Sequence, residues 1–463
     1  MKKLIVSSPY DNKHLATLEF LTELEVNEAI DRAYTYFTDY DGWLKKYEIV
    51  AILEKTMALM SEQIEELTLI AVNEGGKPYV DSKVEVYRAI DGIKVAIEQI
   101  STMVGKEIAM GHTQSSANRQ AYTFCEPRGV VAAISAFNHP LNLAIHQIVP
   151  ALAVGAPVLI KPASSTPMSS LHFVDILYEA GLPKALCQVL VCENDVAEVL
   201  VTSPKIAFMT FIGSAKVGWY LNAKVADGTR VALEHGGVAP VIVEKSASLD
   251  TLIPAITKGG FYHAGQVCVS VQKVYVDEGL MVEVTKQLKV SAQKLNVGDP
   301  SLETTEVGPL ISHKELKRID TWVQDAITEG ATLICGGKAI SESLYEPTIL
   351  LNPSQSSLVS TKEVFGPVIC LYSFTDIEKA YDEANALEVA FQAAVFTNDI
   401  DVSLRASRRL KATTVMVNDH TAFRVDWMPF SGAKSSGLGI GGIPSAMHEM
   451  SLEKLVVTKS DVL

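Results

Sequence analysis

Through roughly the first hundred residues apolar positions recur every three to four places among charges, the spacing of helices that bury one face. This pattern predicts helices over 27–38, 45–72 and 79–100 after a short extended start, with Gly75-Gly76-Lys77-Pro78 separating the second from the third. From Tyr122 the period changes, and short β-branched runs alternate with helical stretches. Strands are predicted over 129–135, 157–160, 207–211, 230–233 and 241–244, and helices over 141–153, 168–180, 197–202 and 215–225. That rhythm implies βαβ units and a mainly parallel sheet, with ligands at the carboxyl ends of the strands. The alternation resumes later, with strands over 368–374 and 393–397, a helix over 377–387 and a last strand over 454–458. No repeat of solenoid period is visible.

Composition narrows the picture. A chain of 463 residues is too long for one core, so about two or three domains are expected, with room for a cleft between them. A formal net charge of −14 argues against nucleic acid and against a polybasic membrane surface, leaving small molecules and other subunits as partners. The apolar runs break well before a spanning length, and the opening apolar stretch is too short for a signal peptide, so a soluble cytoplasmic protein is expected. Six cysteines without C-x-x-C spacing fit neither a disulfide framework nor a zinc site, and no metal is expected.

The polar residues that could do chemistry fall at strand ends. Gly213-Ser214-Ala215-Lys216-Val217-Gly218 leads from a strand into a helix, where backbone N–H groups can receive a phosphate, although it lacks the dinucleotide glycine pattern and an ordinary turn fits equally well. Lys161 ends another strand, before Pro162 and Ser164, and is either a ribose or phosphate ligand or a solvated lysine. Glu234, before His235-Gly236-Gly237, is either a base or an edge carboxylate. Asn138, in Phe137-Asn138-His139-Pro140, offers an amide for an oxyanion or simply makes a turn. Cys268 comes 34 residues after Glu234, behind Gly265-Gln266, at a junction between a helical segment and a new strand. A thiol there has the setting of a nucleophile, although a core thiol is the commoner fate of a cysteine.

These motifs, in order, resemble those of the aldehyde dehydrogenase superfamily. The resemblance runs nearly end to end, through Gly76-Lys77-Pro78, Glu126-Pro127-Arg128-Gly129, Phe137 to Pro140, Lys161-Pro162, Phe211 to Ser214, Leu233 to Gly237, Gly265 to Cys268, Glu363 to Pro367 and Pro429 to Gly432. It implies an α/β subunit: a Rossmann-like cofactor domain (1–118 and 134–238), an α/β catalytic domain (239–447) and a small β oligomerisation flap (119–133 and 448–463), assembling as homodimer or homotetramer. It also implies that Cys268 attacks the aldehyde, that Asn138 and the Cys268 N–H hold the oxyanion, and that Glu234 activates the cysteine, a water or both. Lys161 and Ser214, with the Gly213 to Gly218 turn, would hold NADP or NAD, Glu363 the nicotinamide ribose, and Phe365 would pack near the nicotinamide.

Departures from the family pattern concern specificity. Members restricted to NAD often carry a glutamate where this chain has Ser164, and a serine removes a carboxylate that would repel a 2′-phosphate, so NADP should be accepted or preferred. His139 and His146, seven residues apart, stand where relatives often have aromatic pocket residues, and Arg424 falls in a pocket segment. Two histidines and an arginine imply an anionic or hydroxylated aldehyde, unless Arg424 pairs with Asp426 and the histidines only pack. The segment Phe423 to Phe430 most resembles phosphonoacetaldehyde, lactaldehyde and sulfo-aldehyde dehydrogenases, and Arg119 is a candidate second cation. The competing readings are a CoA-acylating enzyme, which a retained Glu234 disfavours, and a thiol hydrolase that needs no cofactor.

Overall fold

The run Val130-Val131-Ala132-Ala133-Ile134 has no polar position, and such a strand must be covered on both faces. In the computed structural model, which describes residues 2–463, it lies inside a six-stranded sheet. Val131 and Ala133 point into a core shared with Ile145, Ile148 and Phe173, while Val130 and Ala132 point into another containing Val26 and Ile30 of the first helix. The period of two thus distributes one strand between two helical layers.

The strand order is Gly437–Leu438, Arg230–Glu234, Ile206–Ile212, Val130–Ile134, Val158–Lys161, Cys187–Val189, parallel except for the first. From the central strand the chain winds first toward Cys187–Val189 and then returns to build outward on the other side. The loops after Val130–Ile134 and Ile206–Ile212 therefore diverge and open a crevice at the carboxyl ends of the strands. A seven-stranded sheet, Thr332–Cys335, Thr348–Leu351, Val368–Phe374, Lys273–Asp277, Val241–Val243, Gln392–Phe396, Thr414–Val417, is parallel apart from its first pair and faces that crevice through the Cys268 loop. The third sheet pairs Ser451–Lys459 with Arg119–Pro127 and Glu107–Ile108.

Sheet membership corrects the expected boundaries. Residues 130–133, expected in the flap, form the middle of the six-stranded sheet, because Gly129 turns the chain at φ +152° with its α-carbon against Ala207. Glu107–Ile108 joins the three-stranded sheet instead, and Gly437–Leu438 reaches back to pair with Glu234. The helix expected over 45–72 is two helices, Lys46–Glu62 and Ile64–Gly75, broken at Gln63, whose side-chain oxygen is 2.8 Å from His172 Nε2. No described helix is long and apolar enough to cross a membrane.

Gly218 is explained by packing. A β-carbon there would stand 2.0 Å from His235 Cε1, so only glycine lets helix Ala215–Asn222 close onto the residue after Glu234. Gly218→Ala should lower the thermal midpoint, by about 1–3 kcal/mol of overpacking. An unchanged midpoint would contradict this contact.

Candidate active site

Four parallel strands end at the crevice, and each delivers a polar group. Lys161 closes Val158–Lys161 and is buried; its ammonium makes one long contact, 3.4 Å to Pro162 O, leaving donors free, and burial lowers its pKa. Ser214 is the N-cap of Ala215–Asn222 but makes no side-chain cap bond. Ser164, Gly213 and Ser214 line the cleft with Lys161, whereas Gly218 lies behind it. The expected cofactor role of Gly218 therefore gives way to the His235 contact.

Glu234 ends Arg230–Glu234. Its carboxylate lies where a Gly441 β-carbon would come within 1.9 Å, and burial raises its pKa to about 7, opposed by the Arg424 cation. Asn138 follows Val130–Ile134 and is buried, its amide donating to Gln266 O at 2.9 Å. One amide proton is so engaged and the other remains for a ligand.

The Cys268 loop is built under strain. Helix Leu249–Phe261 is followed by His263, Ala264 and Gly265 at φ +48°, +54° and +68°. The two non-glycine residues cost of order 1–3 kcal/mol each, so surrounding contacts must impose the shape. At Gly265 a β-carbon would lie 2.1 Å from Gly366 O. Gln266 then pins the loop, donating to Pro309 O at 3.1 Å and accepting from Ile311 N at 2.9 Å. Cys268 emerges partly exposed in the cleft. Burial, and then Glu363 and Glu234, push its thiol pKa well up while Arg424 opposes.

Glu363 and Phe365 complete the cofactor side. Glu363 lies over Gly236, where a β-carbon would come within 1.5 Å, and its Oε1 is buried without a partner. Burial raises this carboxyl to about 8. Phe365, at φ +50°, meets the Phe137 ring edge-on at 5.8 Å.

On the substrate side His139, His146 and Arg424 all line the cleft. Asp426 does not pair with Arg424: it takes Arg88 through two bonds (3.1 and 2.7 Å), His146 Nε2 (2.7 Å) and the Asn142 amide (3.1 Å). Arg424 is left half-buried, its guanidinium 3.9 Å from the Phe430 ring centroid, with both terminal nitrogens buried and unpartnered. Burial lowers its pKa to about 10, still a cation at neutral pH. Burial also holds His139 well below the usual histidine range, so at 3.2 Å from the Tyr262 hydroxyl it offers hydrogen bonds and no charge. His146 is lowered too, despite Asp426.

Arg119 is also corrected: it starts the three-stranded sheet, donates to Ser115 O (2.5 Å) and Ala117 O (3.1 Å), and does not line the cleft of its own chain. A cation that does line the cleft near Arg424 and Asp426 is Arg88, from a helix in which the sequence pointed to no site residue. The available signal was the recurrence of Lys77, Asp81, Glu85 and Arg88 at helical spacing, a charged face that lies largely buried. The cleft encloses about 1590 Å³, above the usual range for small ligands and enough for a dinucleotide with a substrate beside it.

The chain belongs to the aldehyde dehydrogenase family, whose pattern matches residues 1–456. Its class is that of NAD(P)-dependent aldehyde dehydrogenases. It is 36% identical to the 3-sulfolactaldehyde dehydrogenase of Priestia aryabhattai, covering 98% of this chain and 95% of the relative. Among solved structures it is similar to aldehyde dehydrogenase 21 of Physcomitrella patens in complex with its reaction product succinate (TM-score 0.96, 34% identity, 99% and 95% of the chains covered). It is also similar to a glyceraldehyde-3-phosphate dehydrogenase of Methanocaldococcus jannaschii complexed with NADP (TM-score 0.94, 35% identity, 99% and 100% covered).

Ionisation in the cleft sets a pH profile. With the Glu234 carboxyl pushed up to about 7, turnover at saturating aldehyde should rise with pH through that point if this carboxylate serves as the base. The Arg424 cation stabilises the carboxylate, so Arg424→Met should move the rising limb to higher pH. A limb left in place would contradict the coupling.

Proposed function

We propose that this protein oxidises an anionic aldehyde to its carboxylic acid with NADP as the preferred cofactor, through a thioester on Cys268. The observation that carries the substrate class is Arg424, a half-buried cation with two free donors beside the thiol, whose obvious partner Asp426 is committed to Arg88 and His146. The similar proteins described above bear names or bound products with anionic groups: a sulfonate, succinate and a phosphate. The neutral His139–Tyr262 pair would receive a substrate hydroxyl.

The cofactor fits the other arm of the cleft. Lys161, Ser164, Gly213 and Ser214 would hold the adenosine and phosphates, Glu363 Oε1 a ribose hydroxyl, and Phe365 would bound the nicotinamide. The lack of a partner for buried Glu363 Oε1 is the feature that a ribose would repair. Ser164 presents no carboxylate to a 2′-phosphate.

In the reaction, Glu234 takes the proton that the raised thiol pKa retains, and Cys268 Sγ adds to the aldehyde carbon. The free Asn138 amide proton and the Cys268 N–H receive the oxyanion. A bound nicotinamide would supply the hydride acceptor, and loss of hydride from the carbon held on Cys268 would leave the sulfur carrying a thioester. Once Glu234 has released that first proton to solvent, it removes a proton from water as the water attacks the thioester and passes it to the departing sulfur, releasing the acid and restoring the thiol.

We also propose a cytoplasmic homo-oligomer, with the domain division outlined above adjusted to the sheets. Ser451–Lys459 is an edge strand with Leu455 and Val457 exposed, and Thr414–Val417 is the open edge of the seven-stranded sheet; both suit pairing between copies.

A screen of phosphonoacetaldehyde, 3-sulfolactaldehyde, succinic semialdehyde, lactaldehyde and propanal with both cofactors tests this reading. An anion with NADP should give the highest kcat/KM. Arg424→Met, assayed where Glu234 is ionised, should lower that value by about 10- to 100-fold and change propanal by less than about threefold. Preference for propanal over every anion, or strong selectivity for NAD, would contradict it.

A further inference from the structure

The Gly76-Lys77-Pro78 turn has no part in the chemistry above, yet its lysine is wholly buried. Lys77 Nζ is 2.9 Å from Glu85 Oε2, and neither side chain is exposed. Buried ion pairs are weak sources of stability, and their best-attested use is to fix one arrangement among several.

What Glu85 does with its other oxygen shows which arrangement is at stake. Helix Pro140–Val154 begins with a proline, and its N-cap residue His139 makes no side-chain cap bond. The first free amides, Leu141 N and Asn142 N, both donate to Glu85 Oε1, at 3.0 and 2.9 Å. A carboxylate from a neighbouring helix therefore caps this one, at the end where backbone dipoles favour negative charge. Lys77 sets an opposite charge 2.9 Å from that buried carboxylate, the pairing a charge away from water requires. The point at which the helix starts decides where Asn138, two residues before Pro140, presents its amide.

The same turn reaches the nucleophile loop. Gly76, at φ +68°, lies so close to Pro309 that a β-carbon would come within 2.5 Å of its ring, and a β-carbon on Gly308 would come within 2.3 Å of Gly76 O. Pro309 O takes the Gln266 amide, and Gln266 O takes the Asn138 amide. The Lys77 ammonium also sits 5.3 Å from the centre of the Tyr262 ring, at the start of the strained loop. These contacts close a ring from the turn, through Glu85 and the helix start, to Asn138, Gln266, Pro309 and back.

We propose that Lys77 and Glu85 are positioning residues that fix the Asn138 amide against the Cys268 loop, so that the oxyanion site is set before the aldehyde arrives. This rests on the reading of Asn138 as the oxyanion donor. Because the pair acts through Asn138, its effect belongs in kcat and disappears once the amide is removed.

The test is a cycle of kcat values among wild type, Lys77→Met/Glu85→Gln, Asn138→Ala and the combined variant, with thermal midpoints and NADP dissociation constants measured alongside. The double variant should lower kcat by about 10- to 100-fold, with KM for the aldehyde and NADP affinity within about threefold. Added to Asn138→Ala, the same change should cost less than about threefold. Equal losses in both backgrounds, or an unchanged kcat with Asn138 intact, would overturn the proposal. Should the double variant not fold, Lys77→Arg, which keeps the charge but shifts the pair, is read in the same cycle against the same two outcomes. If Asn138→Ala alone leaves kcat unchanged, the oxyanion assignment fails and the inference falls with it.

Discussion

The 2.9 Å hydrogen bond from the Asn138 amide to Gln266 O joins the loop after the central strand of one sheet to the loop that carries Cys268 from the other. Everything reactive is measured from that junction. The six-stranded sheet sets Asn138, Glu234 and Lys161 by the registry of parallel strands, which is stiff. The loop from Tyr262 to Cys268 is held in left-handed conformations that it would not keep alone, so the sulfur stands where Gln266, Gly366 and Pro309 impose it. A site divided between two sheets in this way needs contacts whose purpose is alignment, and the buried Lys77–Glu85 pair and the Gly76–Pro309 packing have that character.

Burial sets the protonation states as much as any pairing does. Partial burial in the cleft raises Glu234, Glu363 and Cys268 alike, while Arg424 opposes the rise at Glu234 and at the thiol. The pocket therefore brings together a carboxyl raised to about 7, a thiol raised above its ordinary value and a cation whose terminal nitrogens have no partner. Asp426 makes this possible by holding Arg88 and His146 and leaving Arg424 free.

The parallel strands and their polar ends were legible because strand period and turn chemistry are local. Lys161, Ser164, Glu234, Asn138 and Cys268 could be assembled from their places at element junctions, and the order of motifs supplied the family. Contacts between distant positions were not legible. Arg88 and Asp426 are 338 residues apart, and nothing near either announces the other. That separation is why the sequence pointed to no site role for Arg88, and why Arg424 had a plausible but unrealised partner two residues away. Gly218 was read as part of a phosphate turn because its spacing is visible, whereas the His235 ring that requires it is brought close only by folding. His139 and His146 do line the cleft, but their lowered pKa values were not legible, since burial depends on the whole packed structure. Arg119 failed for the converse reason: a lone arginine carries no local sign of which face of the molecule it joins.

The proposed division of labour has Cys268 carrying the acyl group and Glu234 releasing it. Its most direct test mixes Glu234→Gln with NADP and the preferred anionic aldehyde, and follows NADPH formation alongside the intact mass of the chain. The account predicts a slow approach to no more than one NADPH per subunit, with an acyl adduct accumulating on Cys268 and steady turnover nearly absent. Undiminished turnover without an adduct, or the same NADPH yield from Cys268→Ala, would contradict it.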